Sequence, residues 1–117
     1  MQIKVKVNKT ISKLSIIILL SPVFCQVLIN EYSASNLSWY TDNYQLEEDW
    51  IELYNTGSTE EDIGGYFLSD DPDEPAKWMI PSGTVISADG YIVFWCSGRD
   101  EYSDNNYHTN FKLKQTK

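Results

Sequence analysis

Cysteine is the first scarcity in this chain. There are two among 117 residues, Cys25 and Cys96, and one histidine, His108. Cys25 sits at the end of a leader-like segment, so its removal leaves Cys96 alone and excludes an internal disulfide. Cys96 follows Phe94 and Trp95 in an apolar run, which reads as a small buried hydrophobe. One histidine and one cysteine fall short of a closed zinc site. No serine or cysteine carries a nucleophile elbow around it. Bases are scarce as well. Four of the nine precede Gln26, which leaves Lys77, Arg99, Lys112, Lys114 and Lys117 against 17 acids, a net charge of −12. Such a surface repels phosphate backbones, so nucleic acid is not an expected partner. No apolar run reaches the roughly 20 residues of a membrane-spanning helix.

The leader is read from Lys4, Lys6, Lys9 and Lys13, which precede the apolar stretch 14–20, broken only by Ser15. Ser21-Pro22 ends that stretch, and Val23-Phe24-Cys25 offers a cleavage site before Gln26. Residues 1–25 are therefore expected to be a signal peptide and residues 26–117 one domain, secreted or held at the cell surface. The alternative is acylation of Cys25; Phe24 argues against it, because lipoprotein sites want a small residue there.

Aromatic residues are plentiful after the leader. All four Trp, all eight Tyr and three of the four Phe lie there, enough to build a core. In residues 49–57, Trp50, Glu52 and Tyr54 alternate with Ile51, Leu53 and Asn55, the pattern of a half-buried strand. Asn55-Thr56-Gly57 then reads as a turn of residues that tolerate positive backbone angles. Further strands are expected at 27–32, 66–69, 77–80 and 91–96, with a brief apolar pair at 85–86 and one more strand beginning at 110–113. The stretch 91–96 is apolar on both faces and so reads as central. Residues 33–48, 60–65 and 70–75 read as connections. Short strands at this spacing predict an all-β sandwich or barrel.

Several pieces, in this order, resemble the lamin tail domain. They are Ile29-Asn30-Glu31 with Ala34-Ser35-Asn36, Asp49-Trp50-Ile51-Glu52-Leu53-Tyr54-Asn55, and Gly65-Tyr66-Phe67-Leu68-Ser69-Asp70-Asp71-Pro72 with Lys77-Trp78. Pro81-Ser82-Gly83-Thr84, Gly90-Tyr91-Ile92-Val93-Phe94-Trp95, Ser97-Gly98-Arg99-Asp100 and His108-Thr109-Asn110-Phe111-Lys112-Leu113 complete them. The resemblance implies an immunoglobulin-like β-sandwich of the bacterial secreted branch, as found ahead of spore-coat-H-type kinase-like domains or beside secreted nucleases. It implies a non-catalytic module for binding, adhesion or spacing, an accessory domain of a larger extracellular protein. The alternative is the N-terminal fragment of a secreted enzyme whose catalytic domain lies elsewhere. The family's domain continues past the last matching piece into further strands, so the sandwich is expected to be incomplete at its C-terminus and to melt broadly. The leader points away from a nuclear-lamina role.

Three sets of residues are candidates for function. Asp70, Asp71 and Asp73 form an acidic turn of the kind that begins calcium loops, though without their glycine and distal glutamate. The simpler reading is a solvated turn with Lys77 pairing one acid. Trp39, Tyr40 and Tyr44, with Tyr102 and Tyr107, are read as aromatics in polar loops, suited to a protein or polysaccharide surface partner or to packing back as loop anchors. Glu31 and Glu52 are two strand carboxylates that would form an acid–base pair only if they faced each other. No cofactor is expected apart from the calcium reading. The leader analysis predicts that the exported protein begins at Gln26. N-terminal sequencing that finds Met1 on a cytoplasmic protein would contradict it.

Overall fold

The computed structural model describes residues 26–37 and 40–114. The leader and Trp39 lie outside the described residues. Among the described residues nine strands follow one another: β1 (Val27–Ser33), β2 (Trp50–Asn55), β3 (Glu61–Asp62), β4 (Phe67–Leu68), β5 (Trp78–Met79), β6 (Val85–Ile86), β7 (Tyr91–Trp95), β8 (Glu101–Ser103) and β9 (Asn106–His108). One layer is a five-stranded sheet in the order β1-β2-β7-β9-β8. The other is a two-stranded ribbon, in which β3 pairs with β6 and β4 with β5. Between those short pairings the amide of Ile63 donates to Thr84 O, Gly65 to Ile80 O and Ile80 to Tyr66 O, so residues 61–68 run against 78–86 as one irregular hairpin.

The alternation in β2 is the hinge of the packing. Ile51, Leu53 and Asn55 are buried, while Trp50, Glu52 and Tyr54 face outward and are half-buried. β7 lies beside it in antiparallel register, Ile51 opposite Phe94 and Leu53 opposite Ile92. These residues meet Ile63, Leu68, Trp78, Ile80 and Ile86 from the ribbon, and Phe111 closes the core. Phe94 and Cys96 are 0% exposed. Burial pushes the Cys96 thiol up to about 12, so it stays protonated and inert. The expectation that residues 91–96 run centrally holds, since β7 is the middle strand of its sheet.

Asn55 ties the two layers together. Its side chain is fully buried, and its amide donates to the carbonyls of Thr59, Ile86 and Ser87 at 2.8, 3.1 and 3.2 Å. Two N–H bonds are thus shared among three acceptors. Its Oδ1 accepts from Gly57 N at 2.9 Å. This corrects the turn reading: none of Asn55, Thr56 and Gly57 adopts a positive φ. The left-handed positions are instead Gln45, Asp89, Asp100, Asp104 and Asn105, with Gly65, Gly83 and Gly98.

Three other expectations are corrected. Residues 61–62 were expected within a turn and instead form β3, because two acids at a sheet margin pair with Val85 and Ile86. Tyr102 and Tyr107, expected in polar loops, lie in the β8–β9 hairpin around Asp104-Asn105, both left-handed. No strand forms at 110–113. There the Thr109 side chain captures the backbone, accepting from Phe111 N at 3.4 Å and donating to Phe111 O at 2.8 Å, and the chain turns instead of extending.

Asn55→Ala is expected to cost roughly 1–3 kcal/mol, because it strips donors from buried carbonyls. Asn55→Asp should cost at least as much, since a carboxylate would then face three carbonyl oxygens. Thr56→Ala loses only an exposed bond to Gln26 O and should cost under about 1 kcal/mol. Urea unfolding of the three variants checks the order.

Candidate functional site

Residues 40–48 fold into a compact loop around one buried carboxylate. Asp42 Oδ1 accepts from the amides of Tyr44 and Leu46 at 2.8 and 2.9 Å. Its Oδ2 pairs with Arg99 at 3.3 Å, and the same guanidinium nitrogen reaches Glu48 at 3.4 Å. The Asp42 side chain is 0% exposed. Arg99 lies over the Tyr44 ring at 4.6 Å, a cation–π contact. Asn36 holds the loop's two ends, donating to Tyr40 O and Glu48 O at 2.7 and 3.0 Å.

The loop is anchored to the sheet through His108. Asn43 Oδ1 lies 2.8 Å from Nε2, and Ser97 Oγ lies 3.0 Å from Nδ1. The acceptor at Nε2 places a proton on that nitrogen, and in the neutral ring Nδ1 then accepts from the Ser97 hydroxyl. A serine beside a histidine has the makings of a nucleophile and its base. Here both are buried, Ser97 at 6% and His108 at 0% exposure, and no substrate reaches the hydroxyl. The arrangement holds structure rather than attacking a substrate.

Beyond the loop, the outer face of β1, β2 and β7 is an ordered grid. Leu28, Tyr54 and Tyr91 form one row, Glu31, Glu52 and Val93 the next, and Ser33, Trp50 and Trp95 the third. Tyr54 and Tyr91 stack at 4.4 Å, 15° from parallel. The hydroxyl of Tyr54 donates to Asp89, and this hydrogen bond is the main reason its pKa rises to about 12. Tyr40 covers the third row, 5.6 Å from Trp50 and 4.9 Å from Trp95. Burial, then the charge of Glu52, raises the Tyr40 pKa. Tyr40 and Tyr91 remain 46% and 56% exposed, so this strip is aromatic and accessible. Trp95 Nε1 donates to Asn106 at 2.8 Å; Trp50 Nε1 is buried with no partner among the described residues.

The structure places the predicted site residues as follows. Tyr40 and Tyr44 do pack back as anchors, Tyr44 beside His108 at 5.7 Å with its hydroxyl on Glu101 at 2.6 Å, yet both keep an exposed side. Tyr107 lies against Phe94 and Tyr102 against Tyr107, so these two are hairpin residues and not loop aromatics. Glu31 and Glu52 do face each other as direct cross-strand partners. Glu52 accepts from Asn30 at 2.8 Å, and no base approaches either acid among the described residues.

The acidic turn is held by lysines. Lys77 pairs with Asp70 at 2.7 Å, and Lys114 pairs with Asp71. Burial works to raise the Asp70 pKa, but the Lys77 bond and the Lys114 amide outweigh it and the net shift is downward. Asp71 is lowered chiefly by its bond from Lys114. Asp73 donates its amide to Asp71 Oδ1 at 3.0 Å. Among the described residues no three His, Cys, Asp or Glu side chains converge as a metal site would require. A cation at Asp70 and Asp71 would have to displace two ammonium groups. Sequence reasoning missed the Asn43–His108–Ser97 and Asp42–Arg99 network. Its members are single residues up to 65 positions apart, with no local pattern to reveal them.

Burial lowers the His108 pKa below its ordinary 6.5; the Asp42 charge opposes the shift and Arg99 adds to it. The unfolded chain therefore binds the proton more readily. The histidine's contribution to stability is full above about pH 6.5 and is lost as pH falls toward the lower folded value. Urea midpoints should decline from pH 7 to pH 5. His108→Gln should be less stable at pH 7 and lose most of that slope.

The model of one protein family, described as Lamin Tail Domain, matches residues 21–117. No curated protein and no solved structure matches the chain. The two-layer β-sandwich, built of strands without a helix among the described residues, is the immunoglobulin-like fold that this family implies. The chain belongs to the lamin tail domain family.

Proposed function

We infer that this domain is a non-catalytic binding module, an accessory part of a larger secreted or surface protein, and that its ligand lies on the outer face of the β1-β2-β7 sheet. The observation that carries this reading is the exposed aromatic strip from Tyr40 across the grid to Tyr54 and Tyr91, set on rigid strands. Rigid aromatics supply contact area at low entropic cost, which is what a protein or polysaccharide ligand requires of a docking surface. The burial of Ser97 and His108 supports a role without turnover. The leader pattern and the net charge of −12 on the remainder fit an exported protein.

The test is binding of the purified chain to immobilised cell-surface polysaccharides and envelope proteins. A combined Tyr40→Ala and Tyr91→Ala variant should lose about tenfold or more in affinity, equal to roughly 1.4 kcal/mol. Its melting temperature should stay close to the parent's, since both side chains are half exposed. Unchanged binding would move the ligand off this face. Turnover of phosphate esters, nucleic acid or polysaccharide that disappears in Glu52→Gln would overturn the non-catalytic reading.

A further inference from the structure

Glu52 stands at the centre of the outer grid. β2 is flanked on one side by β1 and on the other by β7, so described residues surround this carboxylate in the sheet. Trp50 and Tyr54 lie before and after it on the same face of β2. Glu31 is opposite it on β1 and Val93 opposite it on β7. The register shift between Ile29 and Glu31 brings a second residue of β1 to the same place, and Asn30 donates to Glu52 Oε1 at 2.8 Å. Tyr40 stands over the Trp50–Trp95 end, and the charge of Glu52 is felt there: the Tyr40 pKa is raised by burial and then by Glu52. Two carboxylates therefore sit between two rows of aromatic rings.

Charge decides the class of ligand. Like charges directly opposite each other on paired strands repel. The bases among the described residues, Lys77, Arg99, Lys112 and Lys114, are engaged with Asp70, Asp42, Glu48 and Asp71. A cation carried by the ligand relieves the repulsion between Glu31 and Glu52, and the neighbouring rings attract it further, since an ammonium is drawn to the face of Trp or Tyr. The net charge of −12 after leader removal turns away uronate, sulfate and phosphate polymers. The form of the site then separates a sugar from a peptide. The main-chain groups of β2 are taken up by β1 and β7, so a peptide finds no strand edge here. A pyranose needs none: its C–H face lies on an aromatic ring while its polar rim reaches the carboxylates. The Tyr54–Tyr91 row and the Trp50–Trp95 row are four residues apart along the strands, roughly 13 Å at about 3.3 Å per residue, which is longer than one sugar ring.

We propose that the ligand of this face is a polysaccharide bearing unacetylated amino groups, with sugar rings against Tyr40 and Tyr91 and an ammonium between Glu31 and Glu52. The proposal rests on the reading that the ligand lies on this face, and adds its chemical class. A primary ammonium has three N–H donors, enough to serve both carboxylates with charge-assisted hydrogen bonds. An N-acetyl group at the same position is neutral and keeps one N–H, so it forfeits that pairing. Asn30 steadies Glu52 from the β1 side. Tyr40 and Tyr91, 46% and 56% exposed, supply contact area, and the glutamates supply selectivity.

The test titrates the full chain with a glucosamine hexamer, its N-acetylated counterpart and a galacturonate hexamer, followed by calorimetry and tryptophan fluorescence. The titrations are run at low salt and about pH 6, where the carboxylates are ionised and the sugar amines charged. The amine-bearing hexamer should bind saturably and at least about tenfold more tightly than the acetylated one, with the galacturonate weakest. Glucosamine itself should bind far more weakly than its hexamer, because it does not span both aromatic rows. Glu52→Gln and Glu31→Gln should each reduce the preference for the amine, and the double variant should lose it. Glu74→Gln, which removes the same charge from the acidic turn, should leave that preference intact. A lack of saturable binding by the glucosamine hexamer would overturn the proposal. So would equal affinity for the two glucosamine hexamers, or a preference that survives in the double variant. In those last two cases the face itself still stands if the combined Tyr40→Ala and Tyr91→Ala variant loses binding. Binding that persists in that tyrosine variant would instead overturn the placement of the ligand on this face. A lysine hexapeptide that binds more tightly than the amine-bearing hexamer, and depends on Glu52 and on both tyrosines, would assign the face to a basic protein and overturn the polysaccharide.

Discussion

The buried amide of Asn55 is the constraint on which the arrangement of the two layers depends. It sits at the end of β2, where the inner face of the sheet must be joined to the ribbon that covers it. Carbonyls from the chain after β2 and from the end of β6 converge on this one group. Once they are fixed there, the ribbon's apolar residues lie over Ile51, Leu53 and Phe94. Among the described residues the ribbon covers Leu53 while Ile29, its partner on β1, stays 62% exposed.

A second polar centre plays the corresponding part on the outer face. Asp42 gathers the amides of its own loop and the Arg99 guanidinium, while His108 fastens that loop to β9. Buried polar groups hold a structure only when their partners are present, and here each principal member has at least two. The outcome is positional. Tyr40 is held against Trp50 and Trp95 by a loop without regular secondary structure, so the aromatic strip gains rigidity that a free loop would not provide.

What could be read beforehand followed from local pattern. The two-residue alternation of Ile51, Leu53 and Asn55 reports burial directly, and the continuous apolar run through Phe94 and Trp95 reports a central strand. The β8–β9 hairpin was legible in principle, because Asp104-Asn105 between two short alternating segments is a left-handed turn signal. Glu61 and Asp62 gave no such sign, since their strand character comes wholly from partners more than twenty residues away. Phe111 looked like the start of a strand because its neighbours alternate, but the hydroxyl of Thr109 competes for the backbone. The histidine network and the facing of Glu31 with Glu52 are tertiary facts. They depend on register and loop path, which no window of sequence contains.

Cys96 carries a practical meaning of its own. Its sulfur lies at the centre of the core with the proton firmly held, so thiol reagents meet nothing while the two layers stay together. When the layers part, the sulfur becomes an ordinary, reactive thiol. The rate at which it is labelled therefore counts how often the sandwich opens, with no probe added to the molecule. Nature has placed a clock for breathing motions at the point in the fold where they are most costly.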